Sequence, residues 1–423
     1  MLSQKIEDKR LNESYMQVQH PSGLTMLLYP MPGFSTTYVM FTTQYGSIDT
    51  SFTDTKDGKT VQVPEGIAHY LEHKMFESED GDAFDRYAKT GAAANAFTSF
   101  DKTSYLFTCS DRFAESLEIL LDCVTHPYFT KETVEKEQGI IGQEIRMYED
   151  DPGWRVMFNL LESLYHNNSV KVDIAGTVES IAKIDADLLY RCYYTFYNLH
   201  NMVLTVAGNF DPQQVLAVAD KVLKPAADFT AVRHPQQEPA SVVRKRFVQH
   251  LPVALPMFYI GFKSPDAGIK GNFTNMLYDE MLLDIVAGET TALYKELYNE
   301  GLINSGIIGE TMPGRDYLCS MISGESRDPD EVYARICKEF DRVKAEGIDE
   351  QTFQRVKKST YGRYLGLFSR PDSLASAMTN CYFAGLGVYD LVELVAGTTR
   401  EKLQQRLQED FSTENSSLSI VMA

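Results

Sequence analysis

The sequence predicts an α+β protein made of two similar halves joined by a linker, and three observations carry that prediction. The chain has 423 residues, too many for one ordinary hydrophobic core, so two domains of about 200 residues each are expected. A polar, proline-containing stretch at 224–239 (KPAADFTAVRHPQQEP) breaks the chain near its middle. The order of strand and helix patterns before this stretch repeats coarsely after it. The expected boundaries are 1–225 for the N-terminal domain, 226–239 for the linker and 240–423 for the C-terminal domain.

Residues 15–30 (YMQVQHPSGLTMLLYP) read as two strands around the turn Pro21-Ser22-Gly23. A strand at 36–46 (STTYVMFTTQY) follows, rich in β-branched and aromatic residues. Pro64-Glu65-Gly66 opens a helix over 66–78, and 84–90 is a second short helix. Strands at 91–99 and 102–109 come next. Residues 111–126 place Phe113, Leu117, Leu120, Leu121 and Val124 on one helical face, with Asp111 as the cap. A long helix starts near Thr130 and passes Glu144, until Pro152-Gly153 interrupts it and Trp154 packs the junction. Residues 186–196 form a helix and 201–208 (NMVLTVAG) a buried strand. Beyond the linker, 255–263 and 316–323 read as strands, and 271–287, 330–346, 349–364 and 371–384 as helices.

With 43% hydrophobic and 23% charged residues, the composition is that of a folded globular protein. The net charge of −19 argues against nucleic acid as a partner, because such binding needs Lys and Arg to neutralise phosphates. A cationic peptide suits an acidic surface better, although acidity also serves solubility alone. The six cysteines, Cys109, Cys123, Cys192, Cys319, Cys337 and Cys381, contain no C-x-x-C pair and are too sparse for a disulfide scaffold. Buried thiols in a reducing compartment are expected. The N-terminus MLSQKIEDKRLNE lacks the apolar core of a signal peptide. No apolar run reaches the roughly 18 residues of a membrane span. A cytoplasmic location and no membrane partner follow as expectations.

The chemistry lies in Gly66-Ile67-Ala68-His69-Tyr70-Leu71-Glu72-His73. Positions i and i+4 of a helix share a face, so His69 and His73 can aim imidazole nitrogens at one ion. Glu72 sits at the edge of that face, where a carboxylate can reach a water on the metal without being a ligand. The pattern is H-x-x-E-H, the reverse of H-E-x-x-H. Catalytic zinc takes three protein ligands, so a third is needed from another element, and a carboxylate is expected. The long helix offers Glu137 and Glu144, two turns apart on one side. Glu144 is the choice for the ligand, with Glu137 steadying the site. The bland alternatives are two packed helix histidines and solvated helix carboxylates.

Around this motif the chain resembles the pitrilysin/insulinase family of inverzincin metallopeptidases, closest to its bacterial YmfH-like branch. The resemblance rests on Tyr45-Gly46-Ser47, GIAHYLEHKMFE (66–77), NAFTSFDKTSY (95–105), EKEQGIIGQEI (135–145), DIAGTVESI (173–181) and FYNLHNMVLTVAGNFDP (196–212). It implies His69, His73 and Glu144 as ligands of one Zn2+ per chain, Glu72 as general base and Glu137 as the supporting glutamate. Ala94, Asn95, Ala96, Phe97 and Thr98 match the edge strand on which substrate is laid as an added strand. Asp173 and Gly176 match a structural turn. The implied fold is two homologous halves, each a mainly antiparallel sheet packed with helices, forming half of a clamshell chamber. The implied activity is zinc-dependent endopeptidase cleavage of short unfolded peptides. A non-catalytic structural or peptide-binding member of the family is the alternative.

The chain departs from the family pattern in its C-terminal half. Self-sufficient members supply an arginine, with a tyrosine seven residues later, to stabilise the oxyanion. In the matching segment ALYKELYNEGLINSGIIGE (292–310), Tyr298 stands at the arginine position and Asn304 or its neighbour at the tyrosine position. The nearest arginine is Arg315. The resemblance therefore implies a heterodimer with a related subunit that supplies the arginine/tyrosine pair, with a homodimer as runner-up.

Overall fold

A computed structural model describes residues 2–79, 81–304 and 306–423. The chain forms two compact units: 1–145 with 173–235 and 366–383, and 146–172 with 236–365 and 384–423. They differ from the contiguous ranges 1–225 and 240–423 by exchanging two segments, 146–172 and 366–383. Sequence order does not say which sheet a helix will cover.

The first unit holds a seven-stranded sheet. Its strands are β1 (Leu2–Asp8), β2 (Glu13–Gln19), β3 (Thr25–Pro30), β4 (Thr37–Thr43), β9 (Ala93–Thr98), β10 (Thr103–Cys109) and β11 (Met202–Gly208), in the order β1-β2-β3-β11-β4-β10-β9. Among the described residues of this sheet, β3–β11 is the one parallel pair. Two small hairpins add β5 (Ser51–Thr53) with β6 (Thr60–Gln62) and β7 (Glu77–Ser78) with β8 (Gly81–Asp82). The helices are α1 (Ile67–Lys74), α2 (Ala83–Thr90), α3 (Phe113–Thr125), α4 (Lys131–Glu149), α6 (Val178–Ile181), α7 (Ala186–Phe196), α8 (Pro212–Val222) and α13 (Pro371–Phe383). Helices α1 and α3 pack on β10, while α13 packs on β4 and β11. Covered on both faces, β11 is buried along its whole length, which explains why it reads as a continuous apolar run. Thr205 and Thr379 pair their hydroxyls at 2.9 Å between β11 and α13.

The second unit holds a five-stranded sheet of β12 (Arg246–His250), β13 (Met257–Lys263), β14 (Ile308–Pro313), β15 (Leu318–Glu325) and β16 (Ser416–Met422), in the order β12-β16-β13-β15-β14. Its helices are α5 (Pro152–Leu164), α9 (Gly268–Ala287), α10 (Ala292–Asn299), α11 (Pro329–Glu346), α12 (Glu350–Gly366), α14 (Val388–Gly397) and α15 (Arg400–Asp410). Gly261 lets α5 lie close on the sheet, since a Cβ there would meet Leu160 at 2.8 Å. The buried Arg406 donates to both oxygens of Asp279 at 2.8 Å and also pairs with Asp410, so one cation serves two carboxylates.

The two units repeat one topology: β4-α1-α2-β9-β10-α3-α4 in the first corresponds to β13-α9-α10-β14-β15-α11-α12 in the second. Each sheet ends in an edge strand, β9 or β14. The expected α+β architecture of two homologous halves, each mainly antiparallel and packed with helices, is the architecture observed.

Candidate metal centre

The centre is built on α1, and two glycines set where that helix begins. Gly66 caps it at φ +85°, and a Cβ there would stand 2.3 Å from the Ala175 carbonyl oxygen. Gly176 has φ +74°, and its Cβ would stand 2.6 Å from the Glu65 carbonyl oxygen. The Asp173–Gly176 turn, closed by the Gly176 amide donating to Asp173 O at 2.9 Å, thus lies backbone against backbone at the start of α1. From there α1 runs inward, with every residue but His73 buried.

Three donors converge between α1 and α4. Among the described residues, His69, His73 and Glu144 form the group of metal-ligating side chains whose donor atoms all lie within 4.8 Å of one another. His69 Nε2 is 3.7 Å from one Glu144 oxygen, and His73 Nε2 is 3.5 Å from the other. Ligand atoms roughly 2.0–2.2 Å from a tetrahedral zinc stand about 3.3–3.6 Å from each other, so these separations lie within or just beyond the spacing that ion needs. His73 Nδ1 lies 2.9 Å from Glu137 Oε1. With its proton directed there, His73 keeps the Nε2 lone pair free towards the centre. His69 Nδ1 is buried without a hydrogen-bond partner among the described residues.

The two imidazoles are shifted in opposite directions. Burial pushes the His69 imidazole down to about 3, and His73 acts in the same sense, so His69 is neutral, the form that ligates a metal. Burial also works against charge on His73, yet the Glu137 hydrogen bond and the charges of Glu72, Glu144 and Glu137 together raise it. The hydrogen bond from His73 holds Glu137 below the usual carboxylate range, against the effect of burial. Three carboxylates around two imidazoles form a cradle whose negative charge a divalent cation would largely offset.

Glu72 faces the same space. It is buried, and Thr98 Oγ1 donates to its Oε2 at 2.9 Å. Burial pushes the Glu72 carboxyl up, against the pull of His73 and of the Thr98 hydrogen bond. Thr98 is the last residue of β9, whose other edge carries no strand among the described residues. Along β9, Ala94, Ala96 and Thr98 are half-buried while Asn95 and Phe97 are exposed. The Ala96 amide donates to its neighbour's Asn95 Oδ1 at 2.9 Å. Sequence reasoning placed Thr98 on this strand but missed its bond to Glu72.

The corresponding place in the second unit carries different chemistry. There α9 presents Glu280 and Asp284, one turn apart, and α12 presents Arg363, which pairs with Glu280 at 2.9 Å. Tyr364 donates to the same carboxylate at 3.0 Å. A guanidinium therefore stands where the first unit gathers imidazole and carboxylate donors. Tyr298 is exposed on α10, and Asn304 donates to Glu325 at 3.0 Å. Ser305, the neighbour seven residues after Tyr298, lies outside the described residues.

Comparison with known proteins assigns the family. The model described as "Insulinase (Peptidase family M16)" matches residues 61–178, and "Peptidase M16 inactive domain" matches 183–360. The uncharacterized zinc protease YmfH of Bacillus subtilis is 37% identical over 414 residues, covering 97% of this chain and 96% of that protein. The chain belongs to peptidase family M16, the insulinase family. Within M16 it stands with the YmfH-like branch. A solved structure described as an M16-like peptidase from Alicyclobacillus acidocaldarius superposes with a TM-score of 0.92 at 35% identity, covering 96% of this chain and 98% of that one. The periplasmic protease PqqL of Escherichia coli shares the fold at a TM-score of 0.75 and 18% identity. The M16 chain here is 99% covered in that comparison but spans 48% of PqqL.

Proposed function

We propose that this M16 chain is the catalytic subunit of a zinc-dependent endopeptidase that hydrolyses short unfolded peptides in a closed chamber. The observation that carries the proposal is the convergence of His69, His73 and Glu144 within 4.8 Å, with the Glu72 carboxylate held at the same face by Thr98. His69, His73 and Glu144 would hold one Zn2+, with Glu137 orienting His73. When bound, the ion supplies Lewis acidity that polarises a peptide carbonyl and makes water acidic near about pH 7.

The protein's own groups do the remaining work. Thr98 occupies Glu72 Oε2, leaving Oε1 as the atom that takes a proton from the attacking water and returns it to the leaving amine. Burial keeps Glu72 out of bulk solvent and supports its role as a base. The free edge of β9 would pair with substrate main chain, a grip that depends little on side chains. Asn95 would release the Ala96 amide for that pairing, and Phe97 would contact a substrate side chain. The acidic surface favours cationic peptides.

The second unit lacks an arginine at Tyr298, so a donor for the oxyanion would come from a related subunit, making a heterodimer in preference to a homodimer. The span of about half of PqqL supports such an arrangement. Six buried cysteines fit a reducing, cytoplasmic setting. The test is cleavage of quenched peptides by the chain alone and with that subunit. Glu72→Gln should keep its zinc and lose about 10²–10⁴-fold in rate, whereas the related subunit should raise the rate by about 10²–10³-fold. Unchanged cleavage by Glu72→Gln would refute the role of Glu72. Zinc binding with no cleavage under any of these conditions would favour the non-catalytic, peptide-binding alternative.

A further inference from the structure

The mechanism leaves unused one basic side chain that the fold buries completely. Lys74, the last residue of α1, is 0% exposed. An ammonium taken out of water loses its hydration, so its surroundings must compensate. Its Nζ donates to Glu77 Oε2 and, at 3.3 Å, to the Thr133 carbonyl oxygen in the first turn of α4. One turn earlier on the same face of α1, the Tyr70 hydroxyl donates to the adjacent carbonyl, Val134 O. Helix α1 therefore presents two neighbouring i,i+4 rows to α4. The row His69/His73 faces Glu144, and the row Tyr70/Lys74 grips carbonyls at the start of the same helix.

We propose that Lys74 and Tyr70 are positioning residues that set the angle of α4 on α1 and thereby place Glu144 opposite the two histidines. This rests on the metal-binding reading above. The lever is long: Glu144 lies ten or eleven residues beyond the gripped carbonyls, about 15–16 Å along the helix axis. A swing of about 2° about that grip moves the Glu144 carboxylate by about 0.5 Å, the tolerance within which a working site must be held. The bond from His73 to Glu137 lies between the two ends and fixes the helix laterally. Plain core packing would need no polar atoms at these points, whereas a directional clamp on backbone carbonyls needs both.

The test measures zinc affinity by competition with a chromogenic chelator and the visible spectrum of the cobalt-loaded protein. The variants are Lys74→Met, the double variant Lys74→Met/Glu77→Met, and Tyr70→Phe. The double variant removes the ion pair as a unit and leaves no unpaired Glu77. The clamp predicts that the folded lysine variants lose about 10–100-fold in zinc affinity and shift the cobalt absorption bands, with Tyr70→Phe changing both in the same direction by less. Affinity and spectrum identical to wild type in a folded lysine variant would overturn the proposal. Loss of folding in all three would also overturn it, since the contacts would then serve stability alone. If wild type itself takes up neither metal, the metal-binding reading falls first and the clamp with it.

Discussion

Replacing Glu137 by Gln isolates the contribution of one buried charge to the centre. Glu137 Oε1 accepts from His73 Nδ1 at 2.9 Å, and glutamine keeps the shape and an acceptor oxygen while removing the charge. A hydrogen bond to a charged partner contributes about 1.5–3 kcal/mol and a neutral one about 0.5–1.5, so the substitution weakens the orientation of His73 by about 1–1.5 kcal/mol. That corresponds to roughly tenfold weaker zinc binding, and Glu137→Ala, which removes the acceptor altogether, falls towards the 100-fold end of such effects. The assay is zinc titration against a competing chelator at fixed neutral pH. Glu144→Gln serves as the reference for loss of a ligand and should cost considerably more. The reasoning is refuted if Glu137→Gln binds zinc within about twofold of wild type, or loses as much as Glu144→Gln, which would make Glu137 a ligand.

Thr98→Val removes the donor to Glu72 Oε2 and should lower kcat by about 10–100-fold with zinc content unchanged, whereas Thr98→Ser should restore most of the rate. Equal rates for the valine and serine variants would disprove the orienting role. A third prediction concerns stability. Burial pushes the Asp410 carboxyl up to about 6, opposed by Arg406 and reinforced by Asp279. A carboxyl raised above its unfolded value stabilises the fold fully below that value, and the contribution is lost as pH rises through about 6. Wild type should therefore lose about 1–1.5 kcal/mol relative to Asp410→Asn between about pH 5 and pH 8, read from urea midpoints. A difference independent of pH would show that Asp410 titrates normally.

Elements with a clear period were legible from the sequence. The expected helices at 66–78, 330–346 and 349–364 correspond to Ile67–Lys74, Pro329–Glu346 and Glu350–Gly366. The long helix does stop before Pro152, because Asp151 caps a new helix with proline in its first turn, and Trp154 stacks on Tyr148 across the break. Asp111 is not the cap of α3: Arg112 takes that place in a left-handed conformation, and Asp111 accepts from the Arg112 amide instead. Strand β1 went unread because LSQKIED is an edge strand exposed on both faces and has no apolar alternation. Strand β16 went unread for the opposite reason, since its serines are buried by helices on both sides of the sheet. That His69 and His73 share one helix face was legible from their i,i+4 spacing, whereas spacing alone does not single out Glu144 among the 59 acidic residues; it was chosen for its place on the long helix and its match to the family motif. The Thr98 bond and the Tyr70/Lys74 contacts were not legible, because they depend on which turn of α4 and which end of β9 reach α1.

The most direct measurement is anomalous diffraction at the zinc edge from crystals of the zinc-loaded chain. The account predicts one peak per chain, about 2.0–2.2 Å from His69 Nε2, His73 Nε2 and a Glu144 oxygen, with Glu72 close by but not coordinated. No peak between α1 and α4, or a peak there without Glu144 as a ligand, would contradict it.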